Sequence, residues 1–239
     1  LSIVNVKGSS IARESDYVLY THAGPEIAVA STKAYTVQLS IMYLIAFRFA
    51  YAKGMLPEEN VKQLIKTLEN TVNIVEDILD YDAEVKPIGK KLKKSEDLFF
   101  IGRGLDYALS CEGSIKLKEI SYIHSEAYAA GELKHGTISL ITDNVPVIAL
   151  ATQQDVYAKM ISNIREVRSR GAKVILITNA DAHVDASLCD YHIMLPEMDD
   201  LFTPFGAAII LQYIAYYAAV SRSLNVDQPR NLAKSVTVE

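Results

Sequence analysis

The chain repeats itself. Displaced by 174 positions, Leu1-Ser2-Ile3-Val4 falls on Ile175-Leu176-Ile177-Thr178, Ala12 on Ala186, and Ser15-Asp16-Tyr17 on Cys189-Asp190-Tyr191, without a gap. Each copy then runs through a short apolar strand, a proline and a glutamate into a long uncharged helix, Ala34 to Phe47 in the first and Leu201 to Ser221 in the second. One structural plan used twice is what such self-similarity means, and it limits the fold before any local pattern is read.

The second copy carries more of the plan in front of it. DLFFI, Asp97 to Ile101, reads as a strand, followed by Gly102-Arg103-Gly104 and a helix through Ile123. A buried strand from Val145 to Ala151, a helix from Val156 to Arg170 and a strand from Lys173 to Thr178 come next, with Asp155 as N-cap and Gly171 as terminator of that helix. Strands alternating with helices predict an α/β fold with doubly wound parallel sheets, three-layered in the flavodoxin-like or Rossmann-like manner. From Leu98 to Val174, 77 residues precede the point at which the first copy begins, so the first lobe is expected to be truncated at its N-terminus. The expected layout is residues 1–56 for the rest of a first lobe, 57–95 for linker helices, 96–222 for a second lobe and 223–239 for a C-terminal tail. In the linker, Val61, Leu64, Ile65, Leu68, Val72 and Val75 recur as a helical stripe.

Composition narrows the class. With 239 residues, half of them apolar, and a net charge of −5, the chain offers no basic field for nucleic acid. Cys111 and Cys189 form no metal spacing and no disulfide framework, which points to a reducing cytoplasm. Leu201 to Ser221 has the length of a bilayer span, yet it contains Pro204, Gly206, Gln212 and tyrosines, and the uncharged Ala34 to Phe47 resembles it. Buried helices between layers or at a subunit contact account for both.

Chemistry concentrates between Lys116 and Gly136. Lys116 and Glu119 stand i,i+3 on one helix face, where most such pairs are solvated and worth about 0.2–0.5 kcal/mol. His135 follows in a polar loop bracketed by Gly131 and Gly136. A carboxylate, an amine and an imidazole together suit proton transfer beside a carbonyl. Gly102-Arg103-Gly104 sits where α/β sheets bind phosphates, but Tyr107 replaces the third glycine of a dinucleotide fingerprint and no acidic partner follows. The turn His22 to Glu26 opens the first long helix, with Pro25 at its first position and Val29 to Thr32 in its first turns. Ser31 and Thr32 can offer hydroxyls to a sugar or phosphate, or bond back within the helix. His124, His183 and His192 read as structural or surface positions. The tail DQPRNLAKSVTVE either frays or folds back, and in the second case brings in Lys234, which in a dry pocket can form an imine.

Three stretches carry a resemblance: KEISYIHSEAYAAGELKHG (Lys118 to Gly136), EIAVASTKAYTVQL (Glu26 to Leu39) and the tail. Together they resemble the isomerase part of the glutamine–fructose-6-phosphate aminotransferase family, also called glucosamine-6-phosphate synthases, over the whole chain. The resemblance implies two sugar-isomerase (SIS) lobes in tandem, and conversion of fructose 6-phosphate to glucosamine 6-phosphate without metal or redox cofactor. It implies Glu119 as the base between C1 and C2, Lys116 as its assistant, Lys234 as the imine-forming lysine, and His135 as the ring-opening residue. It also implies Val29, Ser31 and Ser235 as sugar-contacting positions, and a homodimer in which His135 serves the neighbouring site. The family's phosphate loops and its glutaminase domain would precede Leu1, so the isolated chain is expected to be inactive. Competing readings are a non-catalytic SIS module that senses sugar phosphates, a deglycase of amino-sugar phosphates and, last, a dinucleotide enzyme.

Overall fold

Every strand pair in the computed structural model, which describes residues 1–180 and 182–234, is parallel. The chain divides into residues 1–70 with Ala233 and Lys234, and Thr71–Leu232. The first unit holds β1 (Ser2–Val4), α1 (Ser10–Glu14), β2 (Val18–Tyr20) and α2 (Lys33–Ala52), and the boundary falls inside α3 (Glu58–Leu79). The second continues through α4 (Asp82–Lys91), β3 (Asp97–Gly102), α5 (Leu105–Ser121), β4 (His124–Ala129), β5 (Pro146–Ala151), α6 (Gln154–Arg168), β6 (Lys173–Thr178), β7 (Tyr191–Met194) and α7 (Thr203–Ser221).

The repeat extends to individual hydrogen bonds. In β1 and β2 Ser2 pairs with Val18; 174 positions on, Leu176 of β6 pairs with His192 of β7 in the same register. Asn5 falls on Asn179, and their side-chain amides each donate, at 2.8 Å, to corresponding carbonyls, those of Gly24 and Met198. Thr21 N–H donates to Val4 and Leu195 N–H to Thr178, again the same bond twice.

Five strands in the order β4-β3-β5-β6-β7 make the sheet of the second unit. The apolar runs of β3, β5 and β6 are buried beyond their first residues, as strands covered on both faces must be. Phe99, Ile101, Val147, Ala149 and Leu176 pack with Met160, Ile164 and Val167 of α6 on one face. Alternation sends Phe100 to the other face, where it lies beside Gly113 of α5 and Leu211 of α7. α7 is long and apolar enough for a membrane span, but it packs on α4 and α5 with Ile210, Leu211 and Ile214 buried. Burying each such side chain is worth about 1.5–3 kcal/mol. Gly89 of α4 is the point of closest approach: a Cβ there would strike Tyr217 and the backbone of Ala218 on α7.

Local expectations failed in three places. The helix through Ile123 stops at Ser121, because Tyr122 turns left-handed (φ 59°) and its N–H returns to Lys118. His124 is therefore not helical; it opens β4, an unexpected edge strand that lacks an apolar run. The α6 cap is Gln153 rather than Asp155, which lies in the first turn. α2 begins only at Lys33, so Pro25 and Val29 to Ser31 precede the helix.

Sheet order reverses between β3 and β5, where a ligand crevice normally opens beyond the strand ends. Here a buried hydrogen-bond network lies beyond the strand ends. Asp106, 1% exposed, accepts from the Thr152 N–H at 2.8 Å and its hydroxyl at 2.6 Å. The Thr152 and Thr203 hydroxyls lie 2.8 Å apart, and Gln153 donates to Thr203 and to the Asp200 carbonyl, both at 2.9 Å. Arg103, in the Gly102-Arg103-Gly104 turn, is spent on Asn163 at 2.9 and 3.1 Å. Burial raises the Asp106 carboxyl to about 6 against the pull of its Thr152 and Gln153 hydrogen bonds.

Two outcomes follow for the 239-residue chain. Gly89→Ala forces α4 off α7 and should cost about 1–3 kcal/mol in urea unfolding; an unchanged midpoint would refute the close approach. Asp106, raised from 3.8 to about 6, keeps its proton in the fold where the unfolded chain has lost it, so its contribution falls as pH rises through that window. Asp106→Asn should remove a decline of about 1–3 kcal/mol between pH 4.5 and 7, read as the difference between wild-type and variant unfolding free energies.

Candidate active site

Two clusters of the expected residues form, one in each unit. In the second unit, α5 puts Glu112, Lys116 and Glu119 on one face through i,i+3 and i,i+4 spacing. Lys116 is 5% exposed, so the solvated-pair reading fails. Its Nζ lies 2.7 Å from Glu119 Oε2 and 3.7 Å from Glu112 Oε1. A buried ammonium persists only with such partners, since losing them leaves an uncompensated charge. Burial lifts the Glu112 carboxyl above the usual range; Lys116 pulls it down and the Glu119 charge pushes it up. The Glu119 side chain stays 28% exposed. The cluster thus offers a carboxylate fixed by a buried amine and reachable from outside, the requirement for a positioned base.

The end of α5 is anchored. Arg222 donates to the Ser121 carbonyl at 3.0 Å and to that of Ser95. In the described part of the tail, which ends at Lys234, Asn225 accepts from the N–H groups of Asp227 and Gln228, both at 3.0 Å. The Arg230 guanidinium stacks 4.2 Å from the Tyr122 ring, whose hydroxyl accepts the Arg230 N–H at 2.7 Å.

In the first unit, Lys234 Nζ donates to Glu26 Oε2 at 2.7 Å, to the Ala28 carbonyl at 3.0 Å and to that of Val29 at 3.4 Å. Ser31 donates its hydroxyl to Glu26 at 2.9 Å instead of bonding back within a helix. The other carboxylate oxygen of Glu26 accepts the N–H groups of Thr32 at 2.9 Å and Ala34 at 3.3 Å, where α2 starts. Burial opposes the charge, but the bonds from Lys234, Thr32, Ser31 and Ala34 outweigh it and hold the carboxyl at about 2. Lys234, Val29 and Ser31 are therefore brought together, around a glutamate that motif reading passed over. A carboxylate just before a helix, on the repeat position of Asp200, was its available signal.

Among the described residues no hydrogen bond or ion pair joins the His135 side chain to Lys116 or Glu119 of its own unit. It ends a 3₁₀ turn, Leu133–His135, pinned by the buried Leu133, and its ring is exposed. Ser235 lies outside the described residues. Among the described residues no three His, Cys, Asp or Glu side chains gather as a metal site.

Comparison with known proteins places this geometry. The SIS domain family matches residues 1–48 and 91–222. A glutamine–fructose-6-phosphate aminotransferase (isomerizing) of Symbiobacterium thermophilum is 51% identical over 239 residues, all of this chain and 39% of that protein. The protein of the same name from Caldanaerobacter subterraneus subsp. tengcongensis is 50% identical, with the same coverage. Among solved structures, the C-terminal domain of glucosamine-fructose-6-phosphate aminotransferase from Francisella tularensis matches with a TM-score of 0.91 and 38% identity, covering 95% of this chain and 64% of that one. A parallel five-stranded sheet, a repeated strand register and these likenesses lead to one assignment: the chain belongs to the SIS-domain family and corresponds to the C-terminal SIS region of glutamine–fructose-6-phosphate aminotransferases.

Proposed function

We propose that the chain is the isomerase part of an enzyme making glucosamine 6-phosphate from fructose 6-phosphate, with ammonia supplied from glutamine by the whole protein. The observation that carries this reading is the buried Lys116 clamped on Glu119 at 2.7 Å, on the face of a helix that burial cannot explain without a partnered charge. Ammonia replaces the lysine nitrogen of the C2 imine and frees the lysine. Glu119 then takes a proton from C1 and returns it to C2 while the C1 hydroxyl proton passes to the nitrogen, leaving the ammonium on C2 and the carbonyl on C1. Lys116 holds the carboxylate in line and compensates the charge that it sheds and regains. Lys234 holds the ketose as an imine, and Val29 and Ser31, beside it, contact the sugar, with Ser235 next in the tail. A sensor module would not need a lysine buried against a carboxylate.

The two units are read as parts of tandem SIS lobes, which the common register and repeated asparagine bonds support. His135, exposed on its turn, opens the sugar ring in the site of a second subunit of a cytoplasmic homodimer. The cysteines, both free, fit a reducing compartment.

In the full-length protein Glu119→Gln keeps an acceptor for Lys116 and should leave the fold unchanged by circular dichroism. Its kcat/KM for isomerisation should fall about 10²–10⁴-fold; wild-type turnover would remove Glu119 as the base. Sharing of His135 has its own test. Glu119→Gln and His135→Asn homodimers, each inactive, should regain about a quarter of wild-type activity when unfolded and refolded together, because half the dimers are mixed and carry one intact site. No recovery would confine His135 to its own subunit.

A further inference from the structure

The repeat places Glu26 on Asp200, and the two acids hold different things. Asp200 accepts the Gln154 N–H at 2.7 Å and the Asn179 amide at 3.1 Å, a link between loops of the second unit. Glu26 accepts four donors, and only three are local: Ser31, Thr32 and Ala34 fix both carboxylate oxygens against the start of α2. The fourth is Lys234, 208 residues away along the chain.

The Lys234 ammonium has three hydrogens and finds three acceptors, Glu26 Oε2 and the carbonyls of Ala28 and Val29. Imine formation changes that inventory. The nitrogen adds to the ketone carbon of an open-chain 2-ketose, two of its hydrogens leave with the carbonyl oxygen as water, and the protonated imine keeps one N–H and the positive charge. One of the three acceptors can keep its bond, and the carboxylate wins, because a charged pair binds more strongly than a neutral carbonyl does.

We propose that Glu26 is the positioning residue for Lys234: it retains the single N–H of the imine while the carbonyls of Ala28 and Val29 are released to the sugar hydroxyls. This rests on the reading of Lys234 as the imine-forming lysine. Glu26 stays anionic throughout the working range, since its carboxyl is held at about 2. The neighbouring cation Lys33 is engaged elsewhere, donating to the Pro25 carbonyl at 2.7 Å, so Lys234 is the ammonium on the carboxylate.

The test uses full-length enzyme with fructose 6-phosphate and sodium borohydride, whose hydride reduces the imine carbon and makes the adduct permanent. Intact mass and peptide mapping then give its yield and position. Wild-type enzyme should carry the adduct on Lys234. Glu26→Gln keeps acceptors for Thr32 and Ala34 but loses the charge, and its yield at pH 7 should fall about tenfold or more, the worth of a hydrogen bond to a charged group. Glu26→Asp, which restores the charge, should recover part of the yield, whereas a merely structural cap would restore no imine. Asp200→Asn, the same change at the repeat position, should trap as wild type does. Equal trapping by wild type and Glu26→Gln overturns the proposal and leaves Lys234 in its role. Absence of a wild-type adduct, or an adduct on another lysine, overturns the reading of Lys234 and the proposal with it.

Discussion

The burial of α5 dictates most of what surrounds it. The helix is pressed between β3 and β4 on one side and α7 on another, yet its buried positions include Asp106, Ser110, Ser114, Lys116 and Ser121. Each polar group must then find a partner inside, because an unpartnered one costs several kcal/mol. Ser110 and Ser121 return to carbonyls one turn back, and Ser114 exchanges bonds with Ser125 across to β4. The two charged residues need charged or hydroxyl partners instead, Asp106 from another element and Lys116 from its own helix face. Asp106 bonds Thr152 at the end of β5, and Lys116 draws Glu119 onto itself. The same constraint thus builds a buried polar network at one place and a clamped carboxylate, the proposed proton-transfer group, at the other.

How much of this was legible follows from where each signal lies. β3, β5 and β6 were readable because strands buried on both faces must be apolar throughout, and DLFFI and KVILIT say so locally. β4 was not, since an edge strand paired on one side tolerates HSEAYA, with His124 exposed and Ser125 buried only through its bond to Ser114. The Lys116–Glu119 spacing was visible, but its burial was not; the spacing on one helix does not say what packs on that face. Glu26 was hidden for the same reason. Its motif shows a carboxylate before a helix, while its partner is set by a tail at the far end of the chain.

The repeat explains why the two copies can differ without losing their frame. The bonds that recur are those that fix backbone: the strand register, the Asn5 and Asn179 amides on Gly24 and Met198, and the turn after each strand. Those that diverge are made by side chains at the ends of the same elements. Asp200 spends its oxygens on neighbouring loops, while Glu26, one methylene longer, meets a lysine from the tail. A backbone held by side-chain amides leaves the adjoining acid free to change partner.

The two lysines are held by opposite means, and the contrast suits opposite tasks. Lys116 is buried in a rigid helix with a carboxylate on either side, so it cannot leave and its charge cannot be diluted by water. In the proposed role, a carboxylate that takes up a proton and gives it back at one place benefits from such a fixed counter-charge. The Lys234 side chain is 42% exposed on a tail anchored upstream by Arg230 on Tyr122, and two of its three bonds go to neutral carbonyls. In the proposed imine role, those bonds are weak enough to exchange for a substrate, and the Glu26 bond is strong enough to keep the nitrogen in place while they do. A lysine sealed as Lys116 is could not reach a carbonyl carbon, and one without Glu26 would have no fixed point from which to reach it.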